Sequence, residues 1–264
     1  IMNEPEIIAY KSHNYHLVNP SFWPFFGSLS VCCGMFGAVF TMHKMQVGYY
    51  LLGAGFFFTL FTMFFWWKDV IKEGRVDKEH TPIVQKGLKI GMLLFIISEI
   101  MFFFAFFFSF FHATVFPIDI FVDFWPVKEG IWPPEGIKTL DAWDVPFMNT
   151  LILLLSGTSV TWAHYGLLNN DKESLVQGLG VTVLLGFIFS GFQVYEYVHA
   201  LNHNFDFTSS VYGANFYMAT GFHGFHVLVG TIFLAVCFFR ARSDHFTEDN
   251  HLGFEFAAWY WHFV

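Results

Sequence analysis

Six long apolar stretches separated by shorter polar connections dominate this sequence, at about residues 22–42, 47–67, 88–111, 147–168, 176–198 and 214–239. A helix needs about 20 apolar residues to cross the hydrocarbon core of a bilayer, so each stretch predicts a membrane span. A seventh begins near Gly253, reads GFEFAAWYWHFV and reaches Val264. It is too short to span. With no polar cap or turn residue near Val264, it reads as a helix continuing beyond the given sequence rather than as a re-entrant segment. The longest connection, 112–146, holds Pro117, Pro126, Pro133, Pro134 and Pro146 among Asp119, Asp123, Lys128, Glu129 and Asp141. Five prolines exclude a helix through it and predict an ordered excursion outside the membrane. The other connections are short, as in a compact helical bundle, and neither an internal repeat nor a soluble second domain is visible. The predicted fold is an all-α integral membrane protein with seven transmembrane helices.

Composition agrees. Of the 264 residues, 55% are hydrophobic, 22% aromatic and 13% charged, against roughly 25% charged in ordinary soluble domains. A soluble chain with 39 Phe would expose large apolar patches, which argues against a soluble enzyme. A net charge of −8 argues against a nucleic-acid binder. Cys32, Cys33 and Cys237 lie in apolar runs with no C-x-x-C or His-Cys grouping and read as small packing residues. No removable signal peptide is visible at the start.

The basic residues orient the spans. With seven spans, one side receives Lys11, Lys68, Lys72, Arg75, Lys78, Lys86, Lys89, Lys172, Arg240 and Arg242. Only Lys44, Lys128 and Lys138 fall on the other. This bias predicts the N-terminus inside and the C-terminus outside.

Ionisable groups at bilayer depth are costly and become functional candidates. Glu99, in IISEIMFFF, lies near the centre of the third span. One reading is a protonatable group at a helix interface or a lipid-filled cleft. The other is a neutral carboxyl hydrogen-bonded to a nearby carbonyl, because desolvation disfavours the anion. Glu196 and His199 form E-x-x-H at the end of the fifth span, and His223 and His226 form H-x-x-H in the sixth. Spacings of three place each pair on one helix face. A di-iron bundle needs two E-x-x-H motifs and two further Glu. This set falls short, so a satisfied interhelical polar network is the plainer reading, and no metal ligands are assigned. His43, His112, His164 and His262 are further haem-ligand candidates, but each lies near a span end, where an amphipathic ring is comfortable.

Other features read as packing signals. Gly87/Gly91, Gly34/Ala38 and Gly186/Ser190 have the small-xxx-small spacing that permits close helix approach. Phe at nearly every position of 102–111, on all faces, argues for lipid contact and filler. Trp66, Trp67, Trp125, Trp132, Trp259 and Trp261 lie mostly at span ends, as aromatic belts do. Trp66-Trp67-Lys68-Asp69-Val70-Ile71-Lys72-Glu73 with His80-Thr81-Pro82, and Arg240, Arg242 and His245 on a second loop of that side, suit phosphate head groups. Ordinary positive-inside topology explains the same charges. No phosphate-cradling glycine loop, Ser/His/Asp order or thiolate metal set is present.

Taken in order, several strings resemble subunit III of cytochrome c oxidase across nearly the whole chain. They are Asn14-Tyr15-His16-Leu17 with Pro20 and Trp23-Pro24; Trp66 through Val70; His80 through Leu88; Phe95 through Glu99; Trp132-Pro133-Pro134-Glu135-Gly136; Trp162-Ala163-His164; Tyr217 through Val227; and Gly253-Phe254-Glu255 with Ala258 through Val264. The extended 117–136 loop resembles the alphaproteobacterial form of an aa3-type oxidase rather than the animal mitochondrial one.

The resemblance implies seven helices, with the first two (1–75) separated from the other five (76–264) by a V-shaped cleft holding phospholipids. It implies a seventh helix continuing past Val264. It implies no haem or copper in this chain, haem a and copper in partner subunits, and packing against subunits I and II. Cytochrome c would be the donor to the complex. The chain would have no catalytic centre, and would stabilise subunit I and support its proton uptake. Glu99 falls on the family's membrane-buried carboxylate, and Trp67, Lys72, His80, Arg240 and His245 fall near bound lipid head groups. Lys68 and Lys72 stand where relatives often have Arg, which weakens bidentate phosphate contact. The resemblance places the chain in a bacterial cytoplasmic or mitochondrial inner membrane.

The alternative is a redox-active membrane protein with its own haem or di-iron site on Glu196, His199, His223 and His226. A transporter using Glu99 would call for broken helices or inverted repeats, which the sequence does not display.

Overall fold

Every apolar stretch becomes a helix, and most of the helices run past the stretch that predicts them. The computed structural model describes residues 13–116, 131–134, 137, 139–202, 205–208 and 210–264. Among these residues there are seven helices: α1 (Trp23–Met42), α2 (Gln46–Arg75), α3 (Pro82–Val115), α4 (Val145–Leu168), α5 (Lys172–Asn202), α6 (Val211–Arg242) and α7 (Leu252–Phe263). The first six are long and apolar enough to cross a membrane. About half of the proline-rich 112–146 connection, including Pro117, Asp119, Asp123, Pro126, Lys128 and Glu129, lies outside the described residues. So do Lys11, Trp125, Glu135, Gly136 and Lys138.

The overrun has a physical cause. A helix already nucleated adds one hydrogen bond per residue, so it continues until a residue interrupts it. Beyond Trp67, α2 runs on through polar residues to Arg75, and Lys72 and Arg75 lie in its last turn. Cations there oppose the negative end of the helix dipole. Pro82 then opens α3, where a missing N–H costs nothing.

The chain divides into two compact units, Ile1–Leu88 and Lys89–Val264, with the boundary inside α3. In the first, α1 and α2 pack backbone to backbone. A Cβ on Gly37 would lie 2.3 Å from the Leu52 nitrogen, and one on Gly55 would lie 2.3 Å from the Gly34 nitrogen. Near the hairpin's open end, the Trp23 indole donates to Asp69 Oδ2 (2.6 Å) and stacks on Phe65.

In the second unit α4 packs on α5, α5 on α6, α6 on α7 and α7 on α4. The core is Val160, Leu179, Val227, Leu234, Cys237 and Phe254, all fully buried, so Cys237 is indeed a packing residue. Short α7 is part of this core: the Trp261 indole donates to Ser156 Oγ at 3.0 Å. A Cβ on Gly186 would lie 2.4 Å from Thr231 Oγ1, so the Gly186/Ser190 signal is used. The Gly87/Gly91 signal is not, since a Cβ on either would meet nothing within 4 Å. Spacing alone marks a face that allows close approach without supplying a neighbour.

Large side chains, rather than glycines, join α3 to this unit. Phe103 and Phe106 lie against Phe222, and Phe110 against Trp132 and Tyr212. Phe104, Phe107, Phe108 and Phe111 remain exposed. The phenylalanine run is therefore two-faced: positions 103, 106 and 110 follow the helical repeat and pack inward, a division hidden by uniform composition.

Candidate functional site

The intramembrane polar residues settle into three separate places. Glu99 of α3 does not bond a backbone carbonyl. Its Oε2 lies 2.8 Å from His226 Nε2 on α6, with both side chains largely buried. His226 Nδ1 lies 2.7 Å from the Phe222 carbonyl and donates to it. Nε2 and the carboxyl then share one proton, as imidazole with carboxylic acid or imidazolium with carboxylate. Both forms carry zero net charge, which lets two ionisable groups sit at bilayer depth. The Tyr260 ring stacks on His226 at 6.0 Å between centroids, and Phe103 covers it edge-on.

His223, one turn away, turns elsewhere: its Nε2 meets the Val264 carbonyl at 3.2 Å. Glu196 accepts from Asn149 Nδ2 at 3.3 Å. With His199, whose ring stacks on Tyr195, Glu196 lines a cavity of about 270 Å³ that Asp141 and Asp144 also border. Glu196 and His199 of the E-x-x-H motif thus share one cavity, whereas His223 and His226 of the H-x-x-H motif have different partners.

The residues expected near head groups fall on both units. In the first, Trp67 is 58% exposed and Lys72 is exposed in the last turn of α2. His80 follows in the turn before α3 and is half-buried. Its ring presses on Gly74, where a Cβ would lie 2.5 Å from Nδ1. Burial, and then the neighbouring His16, hold the His80 imidazole below its ordinary range, with Glu73 opposing them. In the second unit, the Arg240 guanidinium lies 4.5 Å from the Phe246 ring centroid. On another side it meets Gly253, where a Cβ would lie 2.7 Å from a guanidinium nitrogen. The His245 N–H donates to the Arg240 carbonyl at 3.0 Å, closing the turn after α6.

One cluster escaped the sequence reading. His16, Glu73 and His80 bring potential ligand atoms to within 4.8 Å of one another. Their separation in sequence gives no motif. The only hint was that Glu73 and His80 flank a short turn on the side where the segment before α1 also lies.

The residues joined here include most of the ordered strings noted above. Residues 13–264 match the family model described as cytochrome c oxidase subunit III. The chain belongs to that family. A protein of Rickettsia felis named "Probable cytochrome c oxidase subunit 3" is 54% identical over 256 residues, covering 96% of this chain and 91% of the relative. "Cytochrome c oxidase subunit 3" of Arabidopsis thaliana is 50% identical over 259 residues, covering 98% and 94%. The chain is thus a subunit III of the oxidase, a membrane component of a complex with other subunits.

Proposed function

We propose that this chain is a non-catalytic, lipid-holding scaffold in a proton-pumping terminal oxidase. Electrons pass from cytochrome c to oxygen through haem a and copper in subunits I and II, and this chain supports the durability and proton uptake of subunit I. The membrane is a bacterial cytoplasmic or mitochondrial inner one, with the N-terminus inside. The observation that carries the reading is the dispersal of the chain's mid-membrane ionisable groups. Glu99 and His226 satisfy each other, His223 faces a backbone carbonyl, and Glu196 faces Asn149. Neither a haem-ligand pair nor a di-iron carboxylate set is assembled from them, which favours the scaffold over a redox centre of its own.

The lipid contacts are Trp67, Lys72 and His80 on one unit and Arg240 and His245 on the other. An exposed Trp67 and, further along the same helix, an exposed Lys72 in its last turn suit the boundary between apolar tails and a phosphate head group. Deleting the chain tests the scaffold reading: haem and copper spectra of the remaining oxidase stay intact while activity decays faster during turnover. Loss of a haem signal on deletion overturns it.

A further inference from the structure

We propose that His16, Glu73 and His80 form a binding site for a divalent d-block cation of the zinc type. Three segments of the first unit converge there: the stretch before α1, the last turn of α2 and the turn leading into α3. All three side chains are partly buried, and their ligand atoms lie within 4.8 Å of one another. Metal–ligand bonds of about 2.0–2.1 Å place tetrahedral ligands about 3.4 Å apart, so small side-chain rotations close the site. Among the described residues no hydrogen bond is made by these three side chains, although they converge. An acceptor-only carboxylate facing two imidazoles in this way leaves room for an ion.

The surroundings hold the ligands in place. Gly74 lacks the Cβ that would strike the His80 ring at 2.5 Å. Thr81 Oγ1 donates to the Asn14 carbonyl at 2.6 Å, tying the segment that carries His16 to the start of α3. The His16 and His80 rings meet edge-on at 6.3 Å between centroids. The donor set selects the ion. Two imidazoles and one carboxylate suit zinc and its neighbours, whereas calcium and magnesium favour all-oxygen sites. Three protein ligands leave a fourth position for water or another oxygen donor. His80 is shared with the proposed lipid contacts, whereas His16 and Glu73 belong to this site alone.

The test uses the purified oxidase complex containing this chain, stripped of loosely held metal by a chelator and titrated with radioactive Zn²⁺. The complex with the unaltered chain binds one more tight equivalent than the His16→Ala, Glu73→Gln or His80→Ala complexes, each weakened at least about tenfold. Glu73→His, which rebuilds a three-ligand site, restores the equivalent. Gly74→Ala weakens it without removing a ligand. Should a variant shed the chain, hydrogen exchange of the unaltered complex decides: Zn²⁺ slows exchange at 13–16 and 73–81. Equal zinc stoichiometry across these variants, or exchange unaffected by zinc, overturns the proposal.

Discussion

Glu99 and His226 show, at the scale of single residues, two ionisable groups within the spans satisfying each other. Glu99→Gln keeps a donor for His226 Nε2 and removes only the proton exchange. Assembly is expected to be unaffected and steady-state electron transfer little changed, and a complete loss of oxidase activity in that variant contradicts this. Glu99→Ala instead leaves the imidazole nitrogen buried without its partner, at a cost of about 1–3 kcal/mol. That loss should appear as a lower temperature for release of the chain from the complex. Outside the spans, Asp171 caps α5. Its carboxylate accepts from the Ser174 hydroxyl (2.6 Å) and from the Ser174 and Glu173 amides. The Ser174 hydroxyl, followed by these amides, holds the carboxyl below its usual 3.8. A carboxyl that titrates lower when folded stabilises at pH above its unfolded value and loses that contribution as pH falls through both. Amide exchange at 173–175, corrected for intrinsic rates, should therefore accelerate as pH falls from above the usual carboxylate range to below it, and the Asp171→Asn chain should lack the step.

Among elements, the α1–α2 hairpin depends on missing side chains. A Cβ on Gly37 would lie 2.3 Å from a backbone nitrogen that has no freedom to move away. Gly37→Ala is therefore expected to force the helices apart and cost about 1–3 kcal/mol or more. In Gly53→Ala, by contrast, the added Cβ meets nothing within 4 Å. That variant should be neutral or slightly stabilising, since alanine suits a helix interior better by about 0.5–1 kcal/mol. Limited proteolysis of the first unit in the detergent-solubilised complex distinguishes the two. The contrast also shows why small-residue spacing was only partly informative. Gly34, Gly37 and Gly55 face a neighbouring backbone, while Gly87 and Gly91, equally regular in sequence, face none. The Phe run carried a similar ambiguity, and inward Phe103, Phe106 and Phe110 became distinguishable only once Phe222, Trp132 and Tyr212 had positions.

For the molecule as a whole, the head-group contacts make a joint prediction from both units. Lys72→Ala combined with Arg240→Ala should lower the phospholipid phosphorus that co-purifies with the oxidase. An unchanged phosphorus content counts against the lipid assignment. Lys72 is exposed, so its removal reports on charge, whereas Arg240 also packs on Phe246 and Gly253. Comparing the single variants separates a lost phosphate contact from a loosened turn after α6. Of the candidate residues, sequence placed Trp67, Lys72 and Arg240 at helix ends, because the switch from apolar to basic composition is local. It marked Glu99 and the two histidine-bearing motifs as costly at their depth, but not which partners would satisfy them.

By itself the sequence determined the six spans and the apolar seventh segment, because a bilayer demands an apolar run of fixed length and that demand is met residue by residue along the chain. Tertiary structure decided which polar groups meet. Glu99 and His226 are 127 positions apart, and His16, Glu73 and His80 come from three segments. Such meetings depend on helix rotation and register, which the packing of glycine and aromatic faces fixes and no local pattern records.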